Sequence, residues 1–192
     1  MRLHPFFALI LLCGLCSCKT EPQPAAMPEP VETEKQGADL QTRNNALALL
    51  DDLLGDEKNL SKILIIKHNT DQLGKVVGDI SKTAGNGAQM LEALAKAEPG
   101  LDLKATSLPP GEAQARKEMS KAKEHVLLHS KDAEFQFQLL LTQVDALNYG
   151  ANLAMVVAQN ETQPDRTRDF LRLSAELRAL DERVLAMLRE PK

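Results

Sequence analysis

Three long segments of the chain carry apolar side chains in alternating steps of three and four residues, and this spacing constrains the fold most. In the first segment, that stripe consists of Ile66, Thr70, Leu73, Val77, Ile80, Ala84, Gly87, Leu91 and Leu94. Such steps return to one face of an α-helix, so we predict a packed helix at about 57–97, between Asp56 as N-cap and Pro99. Strands are not expected, because no segment alternates polar and apolar residues with a period of two.

The second segment begins after Pro110 and continues to about Gln159. Its apolar stripe is Met119, Ala122, Val126, His129 and Ala133, followed by Phe137, Leu140, Val144, Leu147, Ala151, Ala154 and Ala158. The phase of the stripe changes between Ala133 and Phe137. This slip predicts a kink or break near 130–132, so the segment forms one bent helix or two helices.

The third segment predicts a helix from about Pro164 to Arg189, whose apolar face is Phe170, Leu173, Leu177, Leu180, Val184 and Met187. A shorter helix at 41–54 adds Leu47, Leu50 and Leu54. The connections at 98–110 and 160–164 are short, which makes neighbouring helices antiparallel. We therefore expect an all-α fold, an up-and-down antiparallel bundle of about four helices.

The N-terminus has the layout of a secretory signal peptide. Arg2 supplies a positive charge, an apolar run follows at 6–15, and all three cysteines lie at 13–18. About ten helical residues span roughly 15 Å, half of the roughly 30 Å hydrocarbon layer of a membrane. We therefore expect an exported protein without a transmembrane anchor in this segment.

Leu15-Cys16-Ser17-Cys18 resembles the lipobox of bacterial lipoproteins. The resemblance implies a signal peptide at 1–17, a lipid-modified Cys18 and attachment to the membrane through acyl chains. Lys19, rather than Asp, follows the cysteine, which in the sorting pattern of enteric bacteria implies the outer membrane. Cys13 and Cys16 also have the spacing of a redox or metal-binding pair, but they lie in an apolar segment rather than at the mouth of a folded domain.

Residues 18–38 read as a linker rich in proline and glutamate. Pro22, Pro24, Pro28 and Pro30 favour extended backbone, and the segment has almost no apolar residues to bury. We expect a disordered tether here and a helical bundle domain at 39–192. A domain of this length is long enough to bury a core of its own.

Composition argues against nucleic-acid binding and gives no sign of catalysis. The formal net charge is −4, and aromatic residues make up 3% of the chain, so no basic surface with stacking rings is expected. The sequence contains no recognisable phosphate loop, nucleophile elbow or catalytic carboxylate pair. We predict that the protein is not an enzyme and uses no cofactor.

Two histidines are the best candidate metal ligands. His125 and His129 lie one helical turn apart, and His68 on the facing helix is a possible third ligand. The segment lacks the glutamate of the zinc-protease pattern, and Glu does not precede His by three residues as in di-iron bundles. Ordinary half-buried or surface histidines remain the favoured interpretation, with metal binding and pH sensing as alternatives.

Part of the chain also resembles a ferritin-like family of bacterial outer-membrane proteins whose function is unknown. The shared features are Phe135 at a helix start, Gln143-Val144 eight residues later, and Pro164-Asp165 followed by Arg168 and Phe170. The resemblance implies a four-helix up-and-down fold, ferritin-like or long and coiled-coil-like. Leu147 and, roughly, Leu180 stand where that family often has histidines.

These features together predict a non-catalytic lipoprotein of the bacterial envelope. Its bundle is expected to bind another envelope component or to self-associate. Seams of three-four spacing and faces of mixed charge suit contacts between helices, and they equally suit the protein's own core. The alternative is a ferritin-like protein that binds metal through His125, His129 and His68.

Overall fold

The computed structural model describes residues 32–65, 70–105 and 107–189, and these form five α-helices and one 3₁₀-helix with no strand. The predicted all-α class is confirmed. In chain order, the elements are α1 (Glu32–Glu57), the 3₁₀-helix (Leu60–Ile65), α2 (Asp71–Ala97), α3 (Pro110–His129), α4 (Asp132–Asn160) and α5 (Pro164–Arg189).

Four of the helices form an antiparallel core. Helix α1 packs against α2 and α4, and α5 packs against the same two helices from the other side. The helices approach closely at two glycines. A Cβ atom added to Gly87 would lie 2.9 Å from Leu54 and 3.4 Å from Leu173, and one added to Gly150 would lie 2.8 Å from Leu53. Glycine at these positions therefore lets α2 and α4 approach their neighbours.

Helix α5 presents to this core the stripe that its sequence predicts. Five of its six predicted members are buried, and Met187 is half-buried against them. The predicted stripe of the short first helix is likewise buried, at Leu47, Leu50 and Leu54. On the outer surface of α5, Arg172 donates to Asp169, three residues earlier in the helix, at 2.8 Å.

The predicted helix at 57–97 is wrong in its first third. Helix α1 continues to Glu57, and α2 starts only at Asp71, where the Thr70 hydroxyl accepts the Leu73 N–H at 3.2 Å and caps the helix. Asp56 lies in the last turn of α1 rather than at an N-cap. The threonine cap satisfies an N–H that has no partner within the helix, so Thr70 marks the start of α2 rather than a position inside a longer helix.

Helix α1 also begins earlier than predicted. It starts at Glu32, so the last part of the predicted linker, 32–38, is helical. Glutamate, lysine and glutamine in this stretch all have good intrinsic helix propensity, which favours a helix that starts here. The remainder of the predicted linker lies outside the described residues.

The predicted break in the second segment is confirmed, and the segment forms two helices. Helix α3 ends at His129 and α4 begins at Asp132, whose φ of 45° is in the left-handed region that a short polar residue tolerates. Helix α3 lies outside the four-helix core and packs mainly on α4.

The predicted burial of this segment is wrong in two places. Helix α3 has no buried residue, and Met119 and Val126 of its predicted stripe are exposed. The reason is that the other four helices already enclose the core. At the start of α4, Phe135 is fully buried, whereas the predicted Phe137 is 44% exposed. Further along α4, Leu140, Leu147, Ala151, Ala154 and Ala158 are buried as predicted.

Candidate functional site

Charged side chains from opposite sides of the bundle meet at the end where α4 leads into α5. Arg43 of α1 donates from Nη2 to Glu98 Oε2 at 2.7 Å, and its Nε lies 3.0 Å from Glu161 Oε2. Arg166 of α5 pairs with the other carboxylate oxygen of Glu98. The Arg43 and Glu161 side chains are only 6% and 2% exposed, so their ion pair is buried.

This cluster holds helix ends together. Glu98 is the C-cap of α2 and Glu161 the C-cap of α4, so the two carboxylates connect those ends to arginines of α1 and α5. The Nε of Arg43 and Oε2 of Glu161 are close enough for an ion pair, but are not aligned for a hydrogen bond. The cluster joins two arginines to two carboxylates and contains no nucleophile, so its arrangement supports a structural role.

The cluster depends on pH through Glu98. Burial on its own raises the pKa of Glu98, but the hydrogen bonds and charges of Arg43 and Arg166 outweigh this effect and hold the pKa below its ordinary value. A lowered folded-state pKa means that the carboxylate stabilises the fold at neutral pH, and that this contribution is lost as the pH falls through the folded-state pKa.

Two polar contacts and the half-buried Leu127 attach helix α3 to the bundle. Arg116 Nη1 donates to the Tyr149 hydroxyl at 2.8 Å, and the guanidinium carbon lies 5.0 Å from the centre of the tyrosine ring. Two turns further along α3, Lys123 Nζ donates to Asp145 Oδ2 at 3.0 Å. Helices held by exposed ion pairs gain little stability from them, so α3 is the most weakly anchored helix of the bundle.

Exposed apolar side chains concentrate in the hairpin of α3 and α4. Seven large apolar residues are exposed among the described residues, and five of them lie between 119 and 141. These five, which we call the apolar hairpin set, are Met119, Val126, Leu128, Phe137 and Leu141. Single exposed apolar residues are ordinary, but such a concentration on one hairpin is typical of a surface that contacts another molecule.

Two hollows lie between helices, and neither has the form of a catalytic pocket. A cleft of about 180 Å³ separates α3 from α4 and is smaller than the roughly 300–1,000 Å³ usual for small-molecule sites. Its lining is Ala122, Lys123, Val126, Leu127, Gln138 and Thr142. A groove of about 340 Å³ between α2 and α5 is crossed by an ion pair from Arg183 to Asp79 at 2.8 Å.

A buried carboxyl group lies where α1 ends. The pKa of Glu57 is raised to about 7, chiefly by burial. A hydrogen bond with Gln143 and the charge of Lys123 lower the pKa, and the charge of Asp56 raises it. Glu57 Oε2 and Gln143 Oε1 are both buried without a hydrogen-bond partner. Each of these residues therefore has a buried acceptor atom that lacks a donor.

The structure brings two of the three predicted histidines together. His125 and His129 stack on the exposed side of α3 with ring centres 4.1 Å apart, and His129 Nδ1 lies 2.8 Å from the His125 carbonyl oxygen. His68 lies outside the described residues. Within the described ranges, no group of three or more His, Cys, Asp or Glu side chains is placed to hold a metal ion. Metal binding at these histidines stays a prediction.

The predicted lipidation residue, Cys18, also lies outside the described residues. In the part of the chain that the structure describes, no helix combines the length and the apolar character needed to cross a bilayer.

The sequence holds a signal for the buried polar residues that its interpretation missed. Arg43 precedes Leu47 by four residues and Glu57 follows Leu54 by three, so both occupy the apolar stripe of α1. Gln143 similarly precedes the buried Leu147 by four. A charged or amide side chain at a stripe position must find a partner inside the fold, which marks these positions for buried pairs.

Comparison of the chain with known protein families, with curated proteins and with solved structures found no match.

Proposed function

We propose that the protein is a lipid-anchored component of the bacterial outer membrane whose helical bundle binds another envelope protein or a second copy of itself. It acts through contact rather than catalysis. The observation that carries this proposal is the apolar hairpin set, of which three members lie on α3, a helix with no buried residue, and two lie at exposed positions of α4. A helix that contributes so little to the core has its role at the surface.

The anchor part of the proposal is supported by the sequence. The lipobox-like Leu15-Cys16-Ser17-Cys18 would place a diacylglyceryl group on Cys18. Two or three acyl chains, at about 0.8 kcal/mol per buried CH₂, hold a protein stably on a bilayer, whereas one chain binds only marginally. The bundle then stays next to the membrane, where envelope partners are concentrated.

Mass spectrometry of the natural product tests the anchor. We expect the mature N-terminal peptide to begin at Cys18 and to carry the mass of a diacylglyceryl group. Cys18→Ser should move the protein from the membrane fraction to the soluble fraction, whereas Cys13→Ser should leave it in the membrane. An unmodified thiol at position 18 in the membrane-fraction protein would overturn the anchor.

Substitutions in the apolar hairpin set test the contact surface. We expect Phe137→Glu with Leu141→Glu to abolish a cross-linked complex that the wild-type chain forms in intact envelopes, because a charge cannot enter an apolar interface unpaired. Leu171→Glu is the matched control, since Leu171 is 42% exposed on α5, away from the hairpin. Both variants should melt near the wild-type temperature, because surface substitutions usually change stability by less than about 0.5 kcal/mol.

The outcomes separate the alternatives. A complex with the mass of two chains identifies self-association, and a heavier or mixed complex identifies a different partner. If the hairpin variant and the Leu171 control give the same cross-linking as wild type, the hairpin is not the contact surface and the proposal fails.

A further inference from the structure

An apolar seam runs along α3 on a side that the bundle leaves exposed. Ala115, Met119, Ala122 and Val126 follow one another in steps of four, three and four residues, so they lie along one side of the helix. All four are exposed, with Met119 at 58% and Val126 at 42%. A second helix covers such a surface in a coiled coil, and we call these four residues the α3 seam.

The α3 seam does not face α4. Arg116 and Lys123 donate hydrogen bonds to side chains of α4, and each follows a seam residue by one position, so they lie on a neighbouring side of the helix. Ala122 and Val126 of the seam also line the cleft beside α4. A second helix can therefore pack on the seam without displacing α3 from the bundle.

Opposite charges flank the seam in the arrangement that suits two parallel copies of α3. Glu118 comes directly before Met119, and Lys123 comes directly after Ala122. In a parallel coiled coil these two flanking positions meet across the seam, so Glu118 of each copy lies beside Lys123 of the other. In an antiparallel coil, Lys123 instead meets the flank that carries Arg116, which is also a cation. The charges therefore select the parallel arrangement.

The two flanking charges are accessible to a second copy. Glu118 accepts from Lys121 of the same helix, and the Glu118 side chain is 58% exposed. The Lys123 side chain is 41% exposed where it donates to Asp145. An ammonium group has three donor hydrogens, so Lys123 can bind a second carboxylate while it keeps Asp145. Exposed ion pairs such as that of Glu118 contribute little, so they exchange partners readily.

The proposed anchor gives the same orientation independently. The tether from Cys18 joins the bundle at Glu32, the first residue of α1, so every anchored copy is linked to the bilayer through the same end of that helix. Two copies on one bilayer therefore meet most readily side by side, with their helices parallel. Anchoring also confines both copies to one surface, which raises the effective concentration of each for the other.

We propose that the α3 seam binds the α3 seam of a second copy of this chain, with the two helices parallel and related by a two-fold axis. This inference rests on the proposed function and deepens it, because it names the partner and the orientation. The small Ala115 and Ala122 let the helices approach closely, and Val126, which is β-branched, suits a two-stranded coil. About two heptads are too short to fold a free coiled coil, but α3 is already folded on the bundle.

Cysteine substitutions in the full-length chain, oxidised with copper phenanthroline in intact envelopes, test the contact and its orientation together. Ala115→Cys and Ala122→Cys should each give a disulfide-linked product with the mass of two chains, because parallel helices place every seam residue beside its own copy. In an antiparallel pair at most one of them can do so, since positions seven residues apart lie about 10 Å apart along a helix. Glu124→Cys, at an exposed position on the outer side of α3, is the matched control and should give no product, as should the wild-type chain.

A reversal of charge tests the flanking pairs. In the Ala122→Cys chain, Glu118→Lys should lower the yield of the two-chain product about fivefold, because two ion pairs become contacts between like charges. Glu124→Lys makes the same change of charge on the outer side of the helix and should leave the yield unchanged. Both variants should fold normally, because α3 has no buried residue.

The outcomes separate this inference from the proposed function. The pairing of α3 seams is overturned if either alanine position gives no two-chain product, if Glu124→Cys gives as much product, if the product contains a different protein, or if both charge reversals change the yield equally. The proposed function is tested by the membrane fraction of Cys18→Ser and by the complex that Phe137→Glu with Leu141→Glu should abolish. If that complex persists while the two-chain product is absent, the α3 pairing fails and the proposed function stands.

Discussion

Replacing Arg43 with methionine is expected to lower the free energy of unfolding at pH 7 by about 3–5 kcal/mol. Methionine keeps much of the apolar stem of the side chain but removes the cation that pairs with Glu161, whose side chain is 2% exposed. The remaining carboxylate then stays buried without a compensating charge, or is exposed to solvent by opening the end of the bundle. Urea denaturation followed by circular dichroism measures the difference.

Arg183→Met is the matched control, because it removes an arginine from an exposed pair. The Arg183 and Asp79 side chains are 46% and 43% exposed, and exposed pairs contribute about 0–1 kcal/mol. Adding Glu161→Gln to Arg43→Met should recover part of the lost stability, since it removes the uncompensated charge. Equal effects of Arg43→Met and Arg183→Met would mean that burial does not set the strength of the cluster.

The helices of the core could be predicted from sequence because each has one face against the core and the opposite face in water. A helix that packs on one side must carry apolar residues every three or four positions, and α5 does so from Phe170 to Val184. The phase slip before Phe137 similarly predicts the break between α3 and α4. Local periodicity is enough for these features because each depends on a single helix.

Other features depend on contacts between helices, and periodicity alone could not predict them. The stripe through Thr70 continues across the start of α2, so it does not reveal that Thr70 caps the helix. Helix α3 has an apolar stripe like that of the core helices, yet Val126 is 42% exposed because four other helices already fill the core. Which stripes are buried is decided by the number of helices competing for one core.

The candidate sites were less predictable than the fold. Arg43 and Glu161 are separated by more than a hundred positions in the chain, and only the antiparallel arrangement of α1 and α4 brings them together. Glu57 could be flagged by its position in the stripe of α1, but its partner Gln143 could not. Partners of buried polar groups are a tertiary property that a single helix does not encode.

Glu57 makes the stability of the whole protein depend on pH in a direction that is unusual for a glutamate. A folded-state pKa of about 7, against an ordinary value of 4.5, means that the folded chain binds more protons than the unfolded chain between these two values. Stability therefore falls as the pH rises from about 4.5 to about 7, and stays at the lower level above that range.

We expect Glu57→Gln to be more stable than wild type at pH 8 by about 3 kcal/mol, and to differ little at pH 4.5. The glutamine has no charge to bury, and its amide can donate to the unpartnered oxygen of Gln143. Urea denaturation at a series of pH values measures the difference between the two chains, which should grow across this range.

The difference between the curves isolates Glu57 from the other acidic groups. Burial also raises the pKa values of Asp56 and Asp181, but both residues are present in the two chains and largely cancel in the comparison. Glu124→Gln should follow the wild-type curve, because that side chain is exposed. A constant difference between Glu57→Gln and wild type from pH 4.5 to 8 would show that the carboxyl group of Glu57 ionises in the folded chain as it does in water.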